Sequence, residues 1–298
     1  DKYSIPSLIE GLESRSKGIK VDVKAEVNTG SGNKEFKDAA HSRALVKIQD
    51  GCEQNCSYCI IPKVRGGYRS VPPEFILEQI KNLVTAGFNE VVLTGIHIGK
   101  YGVDFNLEDD EGKSSSEGRR ASNLADLLEK IIKFTNIKRI RLGSIEINEI
   151  DSRIINLIMK SGRFAHHLHI PLQSGSDKIL KLMGRPYSRD YFLKKVGVIK
   201  KSIPDIAITT DVMVGFPYEE EEDFSKTIDL IKRVSFSKLH VFKYSQRIHT
   251  EAARMTNQVS EKIKSERSRI LRRIGDKLRK SYIKKSVGKI LEVVVEKL

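Results

Sequence analysis

The chain has no tryptophan and only three cysteines among its 298 residues. Three thiols cannot build a disulfide framework, which excludes a small secreted fold held by bridges. No apolar run approaches the roughly 20 residues that a membrane helix needs. The opening DKYSIPSLIE lacks Met and lacks the basic-then-apolar order of a secretory leader, which points to a fragment or a processed product. A hydrophobic content of 39% excludes a disordered tail, and the length allows a full core. What is present is concentrated. The cysteines fall within eight residues of one another, Cys52 to Cys59, and in the expected cytoplasmic setting such a cluster reads as metal or catalytic chemistry.

Charge is concentrated too. The net charge is +14, and residues 261–289 hold 12 Lys/Arg against 3 Asp/Glu, a surplus of 9 in about a tenth of the chain. Clustered positive charge predicts contact with a polyanion, nucleic acid first, with a solvated helix face as the plain alternative.

Residues 1–40 read as peripheral: Ile5, Leu8, Ile9 and Leu12 have helical spacing, and the polar stretch NTGSGNKEFKDAAHS reads as a linker. Strands and helices then alternate. Strands are expected in ALVKI, EVVLTG, KRIRLGS, HLHIPL, DIAITTDVMVGF and KLHVFKYS. Helices are expected from Pro73, in NLADLLEKIIKF, after caps at Asp151 and Ser188, and in EEEDFSKTIDLIKRV. Six such units predict an α/β fold with a parallel sheet, doubly wound or a partial barrel. Residues 104–122, with six acids, read as a flexible insertion. Beyond Arg254, Ile263, Ile270, Leu271, Ile274 and Leu278 form the apolar stripe of a basic helix, and ILEVVV reads as a strand opening a further β module. Functional groups gather at the carboxyl ends of such strands. Cys52, Gly95, Glu146 and Gln173 follow strands one to four, and Asp211 is placed at the end of the fifth.

The cysteine spacing is C-x3-C-x2-C. Thiolate suits zinc or iron–sulfur iron. A structural zinc site needs four protein ligands, and the next His, His97, lies a strand and a helix away. Three thiolates on a four-iron cluster leave one iron open to a substrate or cofactor. Zinc closed by a distant His, and buried structural thiols, stay open as alternatives.

With Tyr58 before the last Cys, this motif after a first strand resembles the radical S-adenosylmethionine (SAM) superfamily. GCEQNCSYCIIPKVRGGYRS, PLQSGSDKILKLMGRPYSRDYF and TTDVMVGFPYEEEEDF, in that order, resemble the methylthiotransferase family over roughly residues 40–298. The resemblance implies an open six-stranded (β/α)6 partial TIM barrel over 41–254. It also implies the tail of an N-terminal methylthiotransferase domain and linker (1–40), a basic helical extension (255–285) and the truncated start of a TRAM-like β domain (286–298).

It further implies that Cys52, Cys56 and Cys59 hold a 4Fe-4S cluster whose open iron takes the amino and carboxylate groups of SAM. One electron then cleaves SAM to methionine and a 5′-deoxyadenosyl radical. Four side chains fit SAM: Glu146 for the amino or ribose groups, Gln173 as donor and acceptor, Arg185 for the carboxylate, and Asp211 for a ribose hydroxyl. Gly95 lets backbone approach the methionyl part. Elsewhere, alternation puts His167 and His169 on one strand face and His166 on the other, which suggests packing and polar contacts. Tyr101-Gly102 fits a substrate loop, Arg65 and Arg69 fit phosphate or cofactor, and Glu219–Glu222 fits the positive end of a helix.

LTGIHIGKYG resembles the branch acting on N6-threonylcarbamoyladenosine at position 37 of tRNA. Other branches act on isopentenyladenosine tRNA or on a ribosomal-protein aspartate. A further alternative is a non-catalytic iron–sulfur RNA-binding module. The resemblance implies tRNA, an electron donor such as flavodoxin or ferredoxin, and a sulfur donor as partners, with no membrane. The radical removes hydrogen from adenine C2, a sulfur is inserted, and a second SAM methylates it. In the family that sulfur comes through a second 4Fe-4S cluster in the N-terminal domain. All three cysteines here belong to the first motif, so the expectation is a chain that cleaves SAM and does not complete sulfur insertion.

Overall fold

The computed structural model describes residues 43–106 and 123–291, all within one compact unit that spans Ala40–Leu298. The expected helix near Leu8, the linker, most of the 104–122 insertion and all but the first two residues of ILEVVV lie outside the described residues.

Strand β1 (Ala44–Asp50) alternates buried Val46 and Ile48 with exposed Leu45 and Lys47, the period-two pattern of a strand with one packed face. It runs parallel to β3 (Glu90–Gly95), and the register slips between Lys47 and Gln49, just before the cysteines. β4 (Arg139–Leu142) continues the same ladder. β5 (His167–His169), β6 (Ala207–Val214) and β7 (Lys238–Lys243) form a second parallel ladder in that order. Bridges Ile140↔Phe164 and Ser144↔His169 link the two. The long strands therefore follow one another in chain order and all run parallel, as the alternation of strands and helices predicts. A two-residue strand, β2 (Arg69–Ser70), adds antiparallel to the end of β1. It has no sequence signal, because two residues carry no period.

The predicted helices form, and their starts follow cap chemistry. They are α2 (Pro73–Thr85) with Pro at its first turn, α3 (Leu124–Phe134) behind an Asn123–Asp126 capping box, and α4 (Ser152–Lys160) behind Asp151. α6 (Arg189–Ser202) starts behind Ser188 and α7 (Glu221–Val234) behind Glu220. Short helices α1 (Ile61–Arg65), α5 (Asp177–Leu182) and α8 (Glu251–Arg254) are additions to the expected set, being too brief to show periodicity. Residues Val103–Asn106, which include the first three of the expected insertion, form a 3-10 turn instead. Asp104 accepts from Ser70 N and Oγ there, which ties the turn to β2.

The core lies between the sheet and the helices, with Val46, Ile48, Leu93, Ile140, Leu168 and Val212 fully buried. The basic helix α9 (Glu261–Lys284) packs back on this unit through buried Leu271, with Ile270, Ile274 and Leu278 beside it. Gly275 lets α9 sit against Leu239 of β7. Ile263 departs from the expected stripe and stays 41% exposed. The helix is pinned by Arg267, which donates to Glu219 Oε1 at 2.7 Å in a buried pair. Glu219 therefore serves that pair and Gly215 N, whereas Glu220–Asp223 supply the acids at the start of α7. No described helix is long and apolar enough to cross a membrane.

Candidate functional site

The three cysteines lie on the loop between β1 and α1. Gly51 opens it at φ 73°, where a Cβ would sit 1.8 Å from Gly67 O, so only glycine fits this close crossing. Cys52 N donates to Gly66 O and Cys59 N to Cys56 O, which coils the loop on itself. Ser57 anchors its middle: N donates to Met183 O at 3.1 Å and Oγ to Leu182 O at 2.7 Å, while Ser57 O accepts from Ala252 N. All three thiols are free and partly buried.

A single zinc with bonds of about 2.3 Å requires its thiolates within about 4.6 Å of one another. Among the described residues, only His169, Asp211 and His240 form a set of three or more ligand groups all within 4.8 Å. Cys52, Cys56 and Cys59 form no such set, alone or with His97. A four-iron cube takes each thiolate on a different iron, so it does not need the three sulfurs to converge on one point. Burial pushes the Cys56 and Cys59 thiols up, with Arg185 opposing it at Cys56. Iron binding would displace those protons.

Two charged pairs flank the loop. Arg185 Nη1 stands 3.5 Å from Cys56 Sγ, while Nη2 is ion-paired with Glu146 and Nε donates to Tyr187 Oη at 3.1 Å. The sequence-predicted Arg185 and Glu146 are thus brought together beside a thiol, each as the other's partner. On the other side His97 Nδ1 lies 3.3 Å from Cys52 Sγ, and its Nε2 lies 2.7 Å from Glu149 Oε1. His97 is fixed from behind, since its N–H donates to Gln49 Oε1 at 2.7 Å. The second oxygen of Glu149 is buried without a hydrogen-bond partner. Counted along the chain, His97 is distant from the cysteines, and sequence reasoning names it only as a remote candidate ligand, not as a neighbour of Cys52. The available signal is its place directly after β3, which the parallel ladder carries back alongside β1.

The other expected residues are spread differently. Gly95 pairs with Gln49, and a Cβ there would meet Gln49 O at 2.7 Å. Gln173 takes a left-handed backbone at φ 64°, a strained setting for a non-glycine residue. Its backbone bridges to β6, accepting from Met213 N and donating to Asp211 O. Asp211 lies within β6, three residues before its end, and its carboxylate is held by His169 and His240. His167 and His169 do share a face, where both reach Thr209 Oγ1, and His166 is exposed. Arg65 and Arg69 both sit 3.9 Å from Asp50 Oδ2, and Tyr101 Oη donates to Val71 O. On α9, Arg269, Arg272 and Arg273 line a shallow groove with Lys243 and Asp276.

Fold and site together define a parallel α/β protein whose three-cysteine loop sits at the carboxyl end of the first strand, beside the partly buried Arg185–Glu146 pair. The family model of the radical SAM superfamily matches residues 46–231, and the chain belongs to that superfamily. Its members use a 4Fe-4S cluster and SAM. The chain is 43% identical over 256 residues to the threonylcarbamoyladenosine tRNA methylthiotransferase MtaB of Bacillus subtilis, covering 86% of this chain and 54% of that protein. It is 41% identical to the protein of the same name from Aquifex aeolicus, covering 85% and 58%. To the tRNA-2-methylthio-N(6)-dimethylallyladenosine synthase of Geobacillus thermodenitrificans it is 38% identical, covering 85% and 46%. The chain thus spans about half the length of the curated relatives it matches. Among solved structures, the radical SAM methyltransferase TsrM of Kitasatospora setae superposes with a TM-score of 0.55 at 13% identity, covering 70% of this chain and 38% of that one. That likeness concerns the fold.

Proposed function

We propose that the chain is the radical SAM portion of a tRNA methylthiotransferase that modifies C2 of N6-threonylcarbamoyladenosine at position 37. The observation that carries this reading is the 43% identity to a protein of that named activity, across 86% of the chain. When bound, the cluster and SAM supply one-electron chemistry that starts hydrogen removal.

The chain's own residues do the placing. Cys52, Cys56 and Cys59 hold the cluster. Arg185 offers a planar fork of donors for the SAM carboxylate, and Glu146 an acceptor for its amino group, once the two release each other. The family pattern gives Gln173 and Gly95 further contacts to SAM, and Asp211 a ribose hydroxyl. The groove of Arg269, Arg272 and Arg273 offers sequence-independent attraction for tRNA phosphates. An electron donor such as flavodoxin or ferredoxin and a sulfur donor complete the proposal, together with a second cluster outside this chain and a cytoplasmic setting.

The relatives named for dimethylallyladenosine, at 38% identity, give a second reading with the same chemistry and a different base. Mass spectrometry of tRNA nucleosides from a deletion strain separates the two. Loss of the methylthio form of threonylcarbamoyladenosine alone supports the first. Loss of the methylthio form of isopentenyladenosine alone supports the second, and an unchanged pattern rejects both.

A further inference from the structure

The second ladder carries a cluster of ligand groups of which only Asp211 has a place in the proposed radical chemistry. His169 of β5, Asp211 of β6 and His240 of β7 come from three adjacent parallel strands. Asp211 pairs directly with His240 in the register, and His169 pairs with Thr209 two residues earlier, so the three side chains meet on one face. His169 Nε2 lies 3.2 Å from Asp211 Oδ2, and His240 Nδ1 lies 3.4 Å from Asp211 Oδ1. The two imidazoles stack with centroids 5.3 Å apart and planes 29° apart.

We propose that His169, Asp211 and His240 form a mononuclear site for a divalent transition metal, zinc or a similar first-row ion, separate from the three thiolates. Bonds of about 2.1 Å in a tetrahedral arrangement place neighbouring ligand atoms about 3.4 Å apart, close to the 3.2 Å and 3.4 Å that separate each imidazole nitrogen from its own oxygen of the Asp211 carboxylate. One atom from each of the three residues lies within 4.8 Å of the others. The surroundings resemble those of a ligating histidine: His169 Nδ1 is held by Thr209 Oγ1 at 2.9 Å, which fixes the ring and aims Nε2 at Asp211. Two imidazoles and one carboxylate suit zinc, iron(II) or manganese rather than the softer ions that thiolates select. Three protein ligands leave at least one position for water or for a substrate oxygen or nitrogen. The His240 side chain is 38% exposed, so an ion can enter from solvent.

A metal-free alternative exists, in which the same carboxylate accepts a proton-bearing nitrogen from each ring. A ligand role also competes with the ribose contact expected of Asp211, because both use the same two oxygens.

Elemental analysis decides the matter. The chain is reconstituted anaerobically with iron and sulfide, equilibrated with Zn2+, desalted, and analysed for zinc and iron together. The expected result is one zinc per chain beyond the cluster iron, retained when Cys52, Cys56 and Cys59 are all replaced by Ala. Asp211→Asn and His240→Ala should each weaken zinc binding more than tenfold with iron content unchanged. Thr209→Val should weaken it about tenfold through loss of the ring's support. His240 lies at the exposed edge, so its variant tests the site even where Asp211→Asn fails to fold. Zinc content equal in wild type and His240→Ala, or zinc lost with the three cysteines, overturns the site and leaves a proton-bound network.

Discussion

His97 Nδ1 stands 3.3 Å from Cys52 Sγ, although 45 residues separate them in the chain. The contact follows from β1 and β3 being neighbours, and Glu149 holds the far side of the ring at 2.7 Å. Hydrogen bonds to a cluster's sulfurs stabilise its more negative, reduced state. His97→Ala should therefore lower the reduction potential of the reconstituted cluster. One hydrogen bond of about 1.4 kcal/mol corresponds to about 60 mV for a one-electron couple. A redox titration followed by electron paramagnetic resonance measures this. An unchanged potential with full iron content would show that the contact does not reach the cluster.

Reconstitution of the chain should give about four irons, the content of one cluster. Cys52→Ala, Cys56→Ala and Cys59→Ala should each lose most of that iron, since each thiolate takes a different corner. About eight irons per chain would contradict the view that sulfur insertion needs ligands from outside it.

The basic groove of α9 should act through phosphate attraction. Replacing Arg269, Arg272 and Arg273 by Ala should weaken tRNA binding across tRNAs of different sequence. The slope of log affinity against log salt should shrink by about 1 for each phosphate that no longer has its guanidinium. An unchanged slope in a filter-binding series would place the RNA elsewhere.

The buried Arg267–Glu219 pair should matter more to stability than any surface ion pair. Arg267→Met leaves the Glu219 carboxylate buried without its guanidinium, at a cost of about 3–5 kcal/mol at neutral pH. Burial already pushes Glu219 up from its ordinary value. A carboxyl raised on folding binds its proton more tightly in the folded state, so stability rises as pH falls toward the ordinary carboxylate range. The deficit of Arg267→Met should therefore narrow on acidification. Denaturant unfolding at several pH values checks the sign, and a deficit that grows with acid would contradict it.

Much of the scaffold is legible in the sequence because it rests on local chemistry. Asp151 and Ser188 accept from backbone N–H groups three residues on, as caps do, and EVVLTG is a strand over its whole length. The cysteine spacing narrows the chemistry to a metal or cluster, and the segments around it carry the resemblance that selects the cluster. Partnerships across the sheet are not legible. His97 reaches Cys52, and His240 reaches Asp211, only through strand neighbours that no local pattern encodes. Glu219 looks like one more acid at a helix start, yet its partner is on α9. Asp211, expected at the end of its strand, lies inside it instead: β6 runs on through Val214, within the expected DIAITTDVMVGF.

Ser57, in the middle of the cysteine loop, is tied to Leu182, Met183 and Ala252. During synthesis the ribosome must therefore have added nearly two hundred residues beyond the last cysteine before the loop has every anchor. Until then the thiols ride on a peptide that lacks its full tether, and assembly of the inorganic centre waits for Ala252 rather than for the cysteines themselves.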